Sequence, residues 1–221
     1  GSKTQRLPDT QRTITVNLTA LDAEGEVDTS FSRTVQVYAQ FLGTLTPTLG
    51  ATPLTTIRMT GGVAMARTVT LPRVFGPTTL WLDDGANAAP TYATGASPTL
   101  WFREPFIVDL QTPKSETALD ALSHSTLEDK QVGVNASRYG ANGRLLVTSV
   151  FSQGYTVTDA DCTATPCTAQ PYDHALVFSF SAPRDQQGRL LELGQTVAAF
   201  GGGLSEFNGL TEIGFPQTSA P

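Results

Sequence analysis

Thr13-Ile-Thr-Val-Asn-Leu-Thr-Ala-Leu21 alternates polar and apolar residues from Thr13 to Ala20. A period of two puts every second side chain on one face, as a half-buried strand requires and a helix does not. Asp22-Ala-Glu-Gly-Glu26 follows as a turn, with Gly25 free to take positive φ. The next strands are expected at Thr34–Phe41, Thr55–Met59, Val63–Leu71 after the Gly61-Gly62 turn, Thr79–Leu82 after Pro77, and Thr99–Phe102. Short strands at this spacing, parted by Gly and Pro, predict a β-sandwich.

The same reading carries into the second half. Strands are expected at Lys130–Ala136, Gly143–Phe151, Gly154–Thr158, Ala175–Phe180, Gly194–Gly201 and Leu204–Phe207. The run Gly201-Gly202-Gly203 predicts a bulge or sharp bend, the device that turns a strand around a small barrel. Pro105 and Pro113 break regular structure and set a boundary near 103–112. A short helix is expected over Ser115–Leu122, with Ser115 as its cap. The expected organisation is a scar of a cleaved tag (Gly1-Ser2) and a tail over 1–9, a sandwich over 10–102, a linker over 103–125, a barrel over 126–216, and a polar tail over 217–221.

Length and composition agree with two β-domains. The 221 residues suit two domains of about 100 residues each. Charged residues make up only 15%, against about 25% in a typical soluble domain. Thr, Ser, Gly and Pro fill the difference, and they favour strands and turns. No apolar run approaches the ~18 residues of a membrane-spanning helix.

Val16-Asn-Leu-Thr-Ala-Leu-Asp-Ala-Glu-Gly-Glu-Val27 resembles the opening of bacterial immunoglobulin-like domains, whose early strand runs into an A-x-D-x-x-G turn. Gly61-Gly-Val-Ala64 is similar to their x-G-V-A hairpin, and Gly76-Pro-Thr-Thr-Leu-Trp81 to their next-to-last strand. In the second half, Leu193-Gly-Gln-Thr-Val-Ala-Ala-Phe-Gly-Gly-Gly-Leu-Ser-Glu-Phe-Asn-Gly-Leu-Thr-Glu-Ile213 resembles the closing strands of the OB-fold-like domain found with secreted bacterial nucleases and surface lipoproteins. Gly154–Asp159 and Ala175–Phe180 match that family's earlier strands in order. The resemblance implies an all-β chain: an Ig-like β-sandwich followed by an OB-like five-stranded β-barrel. The Cys162–Cys167 insertion departs from the family's pattern.

Cys162 and Cys167, five positions apart in a turn-rich stretch, either close a small disulfide loop or remain free thiols; the disulfide is the expectation, and it points to an oxidising, extracytoplasmic compartment. Nucleic-acid binding by the barrel would draw on Arg138, Arg144 and Arg189. Residues 106–221, however, hold six Lys and Arg against twelve Asp and Glu, while residues 1–105 balance at eight of each, so all of the net charge of −6 lies on the barrel half. Phosphate contacts dominate nucleic-acid affinity, so this charge disfavours that partner. Phe178, Phe180, Phe200 and Phe207 are expected in the core and barrel wall.

Asp159, Asp161 and Asp173, with Glu206 nearby, are candidate calcium ligands, although no EF-hand pattern surrounds them; no other cofactor or metal is expected. Asp173-His174 is adjacent in sequence, and neighbours on a strand face opposite ways, which makes a poor catalytic pair. His124 is expected on a helix end or loop. Trp81 and Trp101 are expected to pack in strands rather than form a sugar platform. The reading that emerges is a non-catalytic binding or scaffold module of a secreted or outer-surface bacterial protein, such as a lipoprotein, with a protein or glycan partner. The alternative is an accessory nucleic-acid-binding domain of a secreted nuclease system.

Overall fold

The structure is a computed structural model and describes residues 1–43, 52–85, 93–115 and 123–221. The chain is all-β and divides into two compact units, Gly1–Arg103 and Glu104–Pro221. The helix expected over Ser115–Leu122 lies, but for Ser115, outside the described residues.

The first unit holds β1 (Thr13–Thr19), β2 (Thr34–Phe41), β3 (Thr55–Arg58), β4 (Val63–Thr70), β5 (Pro77–Asp83), β6 (Thr94–Ala96) and β7 (Leu100–Trp101). β1 pairs antiparallel with β4, and a second sheet runs β3-β2-β5-β6, with β7 also on β5. The alternation of β1 works as expected: Ile14, Val16 and Leu18 pack against a core of Val35, Val37, Ile57, Val69, Leu80 and Phe102. A bulge interrupts the β1–β4 ladder, because Val16 pairs Arg67 while Leu18 pairs Ala64. The extra residue falls at Met65-Ala66, and Ala66 takes φ +51°, with its amide donating to Asn17 Oδ1 at 2.8 Å.

Residues 1–9 are not a free tail. Leu7 donates its amide to Trp101 O at 2.7 Å and accepts from the Arg103 amide at 2.9 Å. Asp9 binds Arg73 at 2.7 Å and Arg103 at 2.8 Å. Backbone pairing next to the buried Phe102 fixes a segment whose composition alone carries no strand signal.

The second unit opens with α1 (Ile107–Gln111), an unexpected helix between the two prolines that buries Ile107 and Leu110. Its strands are β8 (Gln131–Val134), β9 (Gly143–Phe151), β10 (Gly154–Asp161), β11 (His174–Phe178), β12 (Thr196–Val197), β13 (Ala199–Phe207) and β14 (Leu210–Ser219). One sheet in the order β12-β9-β10-β11-β14-β13-β8 curls into a half-barrel. Every pairing is antiparallel except β11 with β14. The glycine run turns β13 where neighbours press closest. A Cβ on Gly201 would lie 2.5 Å from Val132 O, and one on Gly202 2.3 Å from Gly214 O, so no side chain fits at either.

Residues 217–219, expected as part of a polar tail, belong to β14. Thr218 is buried and its hydroxyl meets that of the buried Tyr155 at 2.7 Å. The inner face of the half-barrel carries Val147, Tyr155, Val157, Val177, Leu204 and Ile213.

Candidate binding site

The second unit breaks its own inside–outside pattern where β11 ends. Ala175 and Val177 point inward and Phe178 lies half-buried on the other face. β11 stops there, and Phe180 takes φ +59° and stands 55% exposed. Its ring meets Phe178 edge-on, with centroids 4.5 Å apart at 71°.

A bulge in β14 brings a third ring. Gly201 pairs Gln217 and Gly203 pairs Gly214, so Phe215 and Pro216 together oppose Gly202 alone. Bulges re-aim side chains, and proline suits one because it has no amide to withhold from the ladder. Phe215 takes φ +50°, is 82% exposed, and lies 4.9 Å from Phe180 at 32°. Positive φ on a bulky residue costs on the order of 1–3 kcal/mol and persists only where the surroundings impose it. Two such residues in contact, both presenting aromatic rings to water, form a ledge held against backbone preference.

Beside the ledge lies a cleft of about 230 Å³, lined among others by Tyr155, Ser179, Ser181, Arg184, Phe215 and Thr218. Ser179 Oγ donates to Ser181 O at 2.5 Å. Burial pushes the Tyr155 phenol up to about 12, against the opposing bond from Thr218, so the hydroxyl behind the cleft stays neutral. Arg184 is exposed and donates to Gly188 O at 2.6 Å.

The residues singled out in the sequence go elsewhere. Cys162 and Cys167 form a disulfide, which points to an oxidising environment. The three candidate calcium ligands do not converge. Asp159 is fully buried, accepts from Ser137 Oγ at 2.5 Å and from the Arg138 amide at 2.8 Å, and its carboxyl is raised by burial. Asp173, also fully buried, accepts from Tyr139 at 2.6 Å, the Gln170 amide at 2.7 Å and Arg138 Nη2 at 2.9 Å. Arg138 Nε faces Asp173 Oδ1 at 2.9 Å but off the hydrogen-bond axis, so that second contact is Coulombic. Asp161 caps the loop through Thr163. Glu206 binds the Ser125 amide at 2.7 Å and Thr211 at 2.9 Å. Among the described residues no three metal-ligating side chains gather.

Of the three arginines expected to meet nucleic acid, two are ion-paired and the third is bonded to backbone carbonyls. Arg138 is held by Asp173, Arg189 binds Asp185 at 2.7 Å, and Arg144 donates to Ala141 O and Gly143 O. His174 Nδ1 meets Thr158 Oγ1 at 2.8 Å while Asp173 turns the other way. His124 pairs Glu128 at 2.7 Å. Trp81 and Trp101 are both partly buried, and the Trp101 ring is covered by Lys3 and Arg6.

Of the four phenylalanines expected inside, Phe200 is buried and Phe178 half-buried, but Phe180 and Phe207 are exposed. Phe180 lies past the end of β11, and Phe207 sits at the hairpin turn Asn208-Gly209. Phe215 carried no signal beyond Pro216 beside it. Searches of family models, curated proteins and solved structures found no match to the chain.

Proposed function

We propose that the chain is a non-catalytic glycan-binding module of an exported bacterial surface protein, and that its ligand sits on the ledge of Phe180 and Phe215. The observation that carries this reading is the pair of adjacent, exposed aromatics in left-handed backbone beside a hydroxyl-lined cleft. A sugar offers an apolar C–H face to an aromatic ring and hydroxyls that both donate and accept, as Ser, Thr and Tyr do. The disulfide supports export.

The folds suggested for the two units are an Ig-like sandwich and an OB-type barrel. The first draws support from two sheets sharing one core. The second draws support from the meander β9-β10-β11, the parallel closure by β14, and the return through β13 to β8, which leads into β9. That is how a partly open Greek-key barrel closes when its first strand is split.

Calorimetric titration of the chain with a panel of neutral and acidic oligosaccharides tests the proposal. Binding to at least one sugar, lost in Phe180→Ala/Phe215→Ala with the melting temperature unchanged or raised, is expected. Equal binding by that variant, or no binding across the panel, overturns it.

The same stacked rings favour one competing reading, single-stranded nucleic acid, since bases stack on aromatics. The locked arginines and the charge of the unit weigh against it. Fluorescence anisotropy with labelled oligonucleotides at two salt concentrations separates the two: salt-sensitive micromolar binding would put nucleic acid first.

A further inference from the structure

We propose, on the footing of the glycan-binding reading, that the cleft selects a carboxylated pyranose and that Arg184 receives its carboxylate. Arg184 and Arg144 both donate only to backbone carbonyls, and of the two only Arg184 lines the cleft. The second unit holds six Lys and Arg against thirteen Asp and Glu over residues 104–221. Arg138, Arg189 and Lys114 are matched to Asp173, Asp185 and Glu128. Arg184 has no carboxylate partner among the described residues, and its one protein bond is to the carbonyl of Gly188. No Asp or Glu is among the residues that line the cleft with Arg184. The neighbouring Asp185 is turned away and held by Arg189 and by the Gln187 and Arg189 amides.

A guanidinium has five N–H donors, and a carboxylate takes two of them in parallel. The remaining donors of Arg184 are therefore suited to a planar anion. An acid-free cleft with an unmatched arginine, in a unit otherwise rich in acids, is complementary to a ligand with one negative group. It is a poor match to a chain of phosphates, which the surrounding charge would repel.

Size and wall chemistry narrow the class. The cleft's 230 Å³ falls below the ~300–1,000 Å³ that encloses a drug-sized ligand, so it holds about one ring. Phe215 lines the cleft and also forms the ledge, so a ring seated against it places its other edge by Ser179 and Ser181. A uronic acid residue at the end of a glycan has this combination of apolar face, hydroxyls and a single carboxylate.

The test compares a glucuronyl-terminated disaccharide with its glucosyl counterpart, by calorimetry on the whole chain and on Arg184→Gln, Arg184→Lys and Phe215→Ala. The acidic sugar should bind about tenfold tighter or better, and its advantage should shrink with added salt. Arg184→Gln should erase the advantage, bringing the glucuronyl affinity down to that of the glucosyl sugar. Arg184→Lys should retain part of it, because lysine keeps the charge but not the fork. Phe215→Ala should weaken both sugars. Equal affinity for the two sugars, or an advantage that survives Arg184→Gln, overturns the assignment while leaving the glycan reading in place. Failure of either sugar to bind, with a single-stranded oligonucleotide binding in a Phe215-dependent way, overturns both. Unchanged melting of Arg184→Gln confirms that a loss of preference is not a loss of fold.

Discussion

The two units divide charge and aromatic surface in opposite ways. The first keeps Asp9 partly exposed in its pairing with Arg73 and Arg103, and sends Phe75 and Phe102 into its interior. The second buries Asp159, Asp173 and Asp185 and turns Phe180, Phe207 and Phe215 out to water. Each unit also breaks a ladder with a bulge. In the first, the strained Ala66 has its amide answered by Asn17 and throws out a single methionine, Met65. In the second, the strained Phe215 stands beside another strained phenylalanine and a cleft. A bulge alone therefore marks no site. What distinguishes the second unit is that several departures from the inside–outside rule fall together, as the proposed binding role would require.

The largest effect expected from this contrast is in the buried ion pair. Arg138→Ala leaves Asp173 without its counter-ion in a position with no solvent exposure, which costs about 3–5 kcal/mol. Asp9→Ala in the first unit leaves two arginines that can turn to water, and should cost about 1 kcal/mol. Urea titration followed by amide exchange at Val157 and Val69, buried strand residues of the two units, separates the responses. Equal losses in both would break the contrast.

The disulfide comes next. It closes a loop between residues five apart, so chain entropy limits its contribution to about 2 kcal/mol, felt in the second unit alone. Cys162→Ala/Cys167→Ala should lower protection at Val157 and leave Val69 unchanged. A loss at Val69 would mean that the units do not unfold separately.

How much of this was legible in the sequence follows the same division. Where burial on one face governs, as at Ile14, Val16 and Leu18, period-two alternation places the strand directly. The Gly201–Gly203 bend was also readable, because backbone approach at Gly201 and Gly202 leaves no room for a side chain. β14 was not readable as a strand: Gly214, Phe215 and Pro216 interrupt its alternation, and its pairing with β11 is parallel and distant in sequence. The buried carboxylates read as calcium ligands because sequence shows the oxygens but not the donors that consume them, Ser137, Tyr139 and Arg138. The expectation of Phe180 in the core fails for the converse reason, and Phe215 carries no expectation at all. Apolar residues are ordinarily inside, and only the φ of Phe180 and Phe215 shows them turned out.

Smaller effects probe the two bulges. Glycine at either strained position removes the left-handed penalty, so Ala66→Gly and Phe215→Gly should each stabilise their unit by up to about 1 kcal/mol. They should differ in consequence: Phe215→Gly gains stability and loses sugar binding, whereas Ala66→Gly changes stability only. Thermal melts beside the calorimetric titrations read both. If Phe215→Gly destabilised the second unit, the ring would be a packing element rather than a ligand platform.

The smallest effect is a difference of sign with pH. Burial, helped by the like charge of Asp173, raises the Asp159 carboxyl above its ordinary 3.8 despite the bonds from Ser137 and Arg138. Between 3.8 and the raised value the folded unit binds more protons than the unfolded chain, so stability from Asp159 falls as pH rises through that window. Asp9 is the reverse. Burial works to raise it, but the bonds from Arg103 and Arg73 outweigh burial and hold it below 3.8. Its contribution is present above pH 3.8 and is lost as pH falls through the lowered value. Asp161, Asp185 and Glu128 in the second unit are also lowered and mask Asp159 in a simple pH–stability curve. The comparison is therefore made by difference. Stability of the wild type minus Asp159→Asn should decline from pH 3.5 to neutrality, and that of the wild type minus Asp9→Asn should rise from acid pH to a plateau. Parallel slopes would show that the second unit does not hold its carboxylate against its solvation, and the inverted arrangement of charge would lose its energetic meaning.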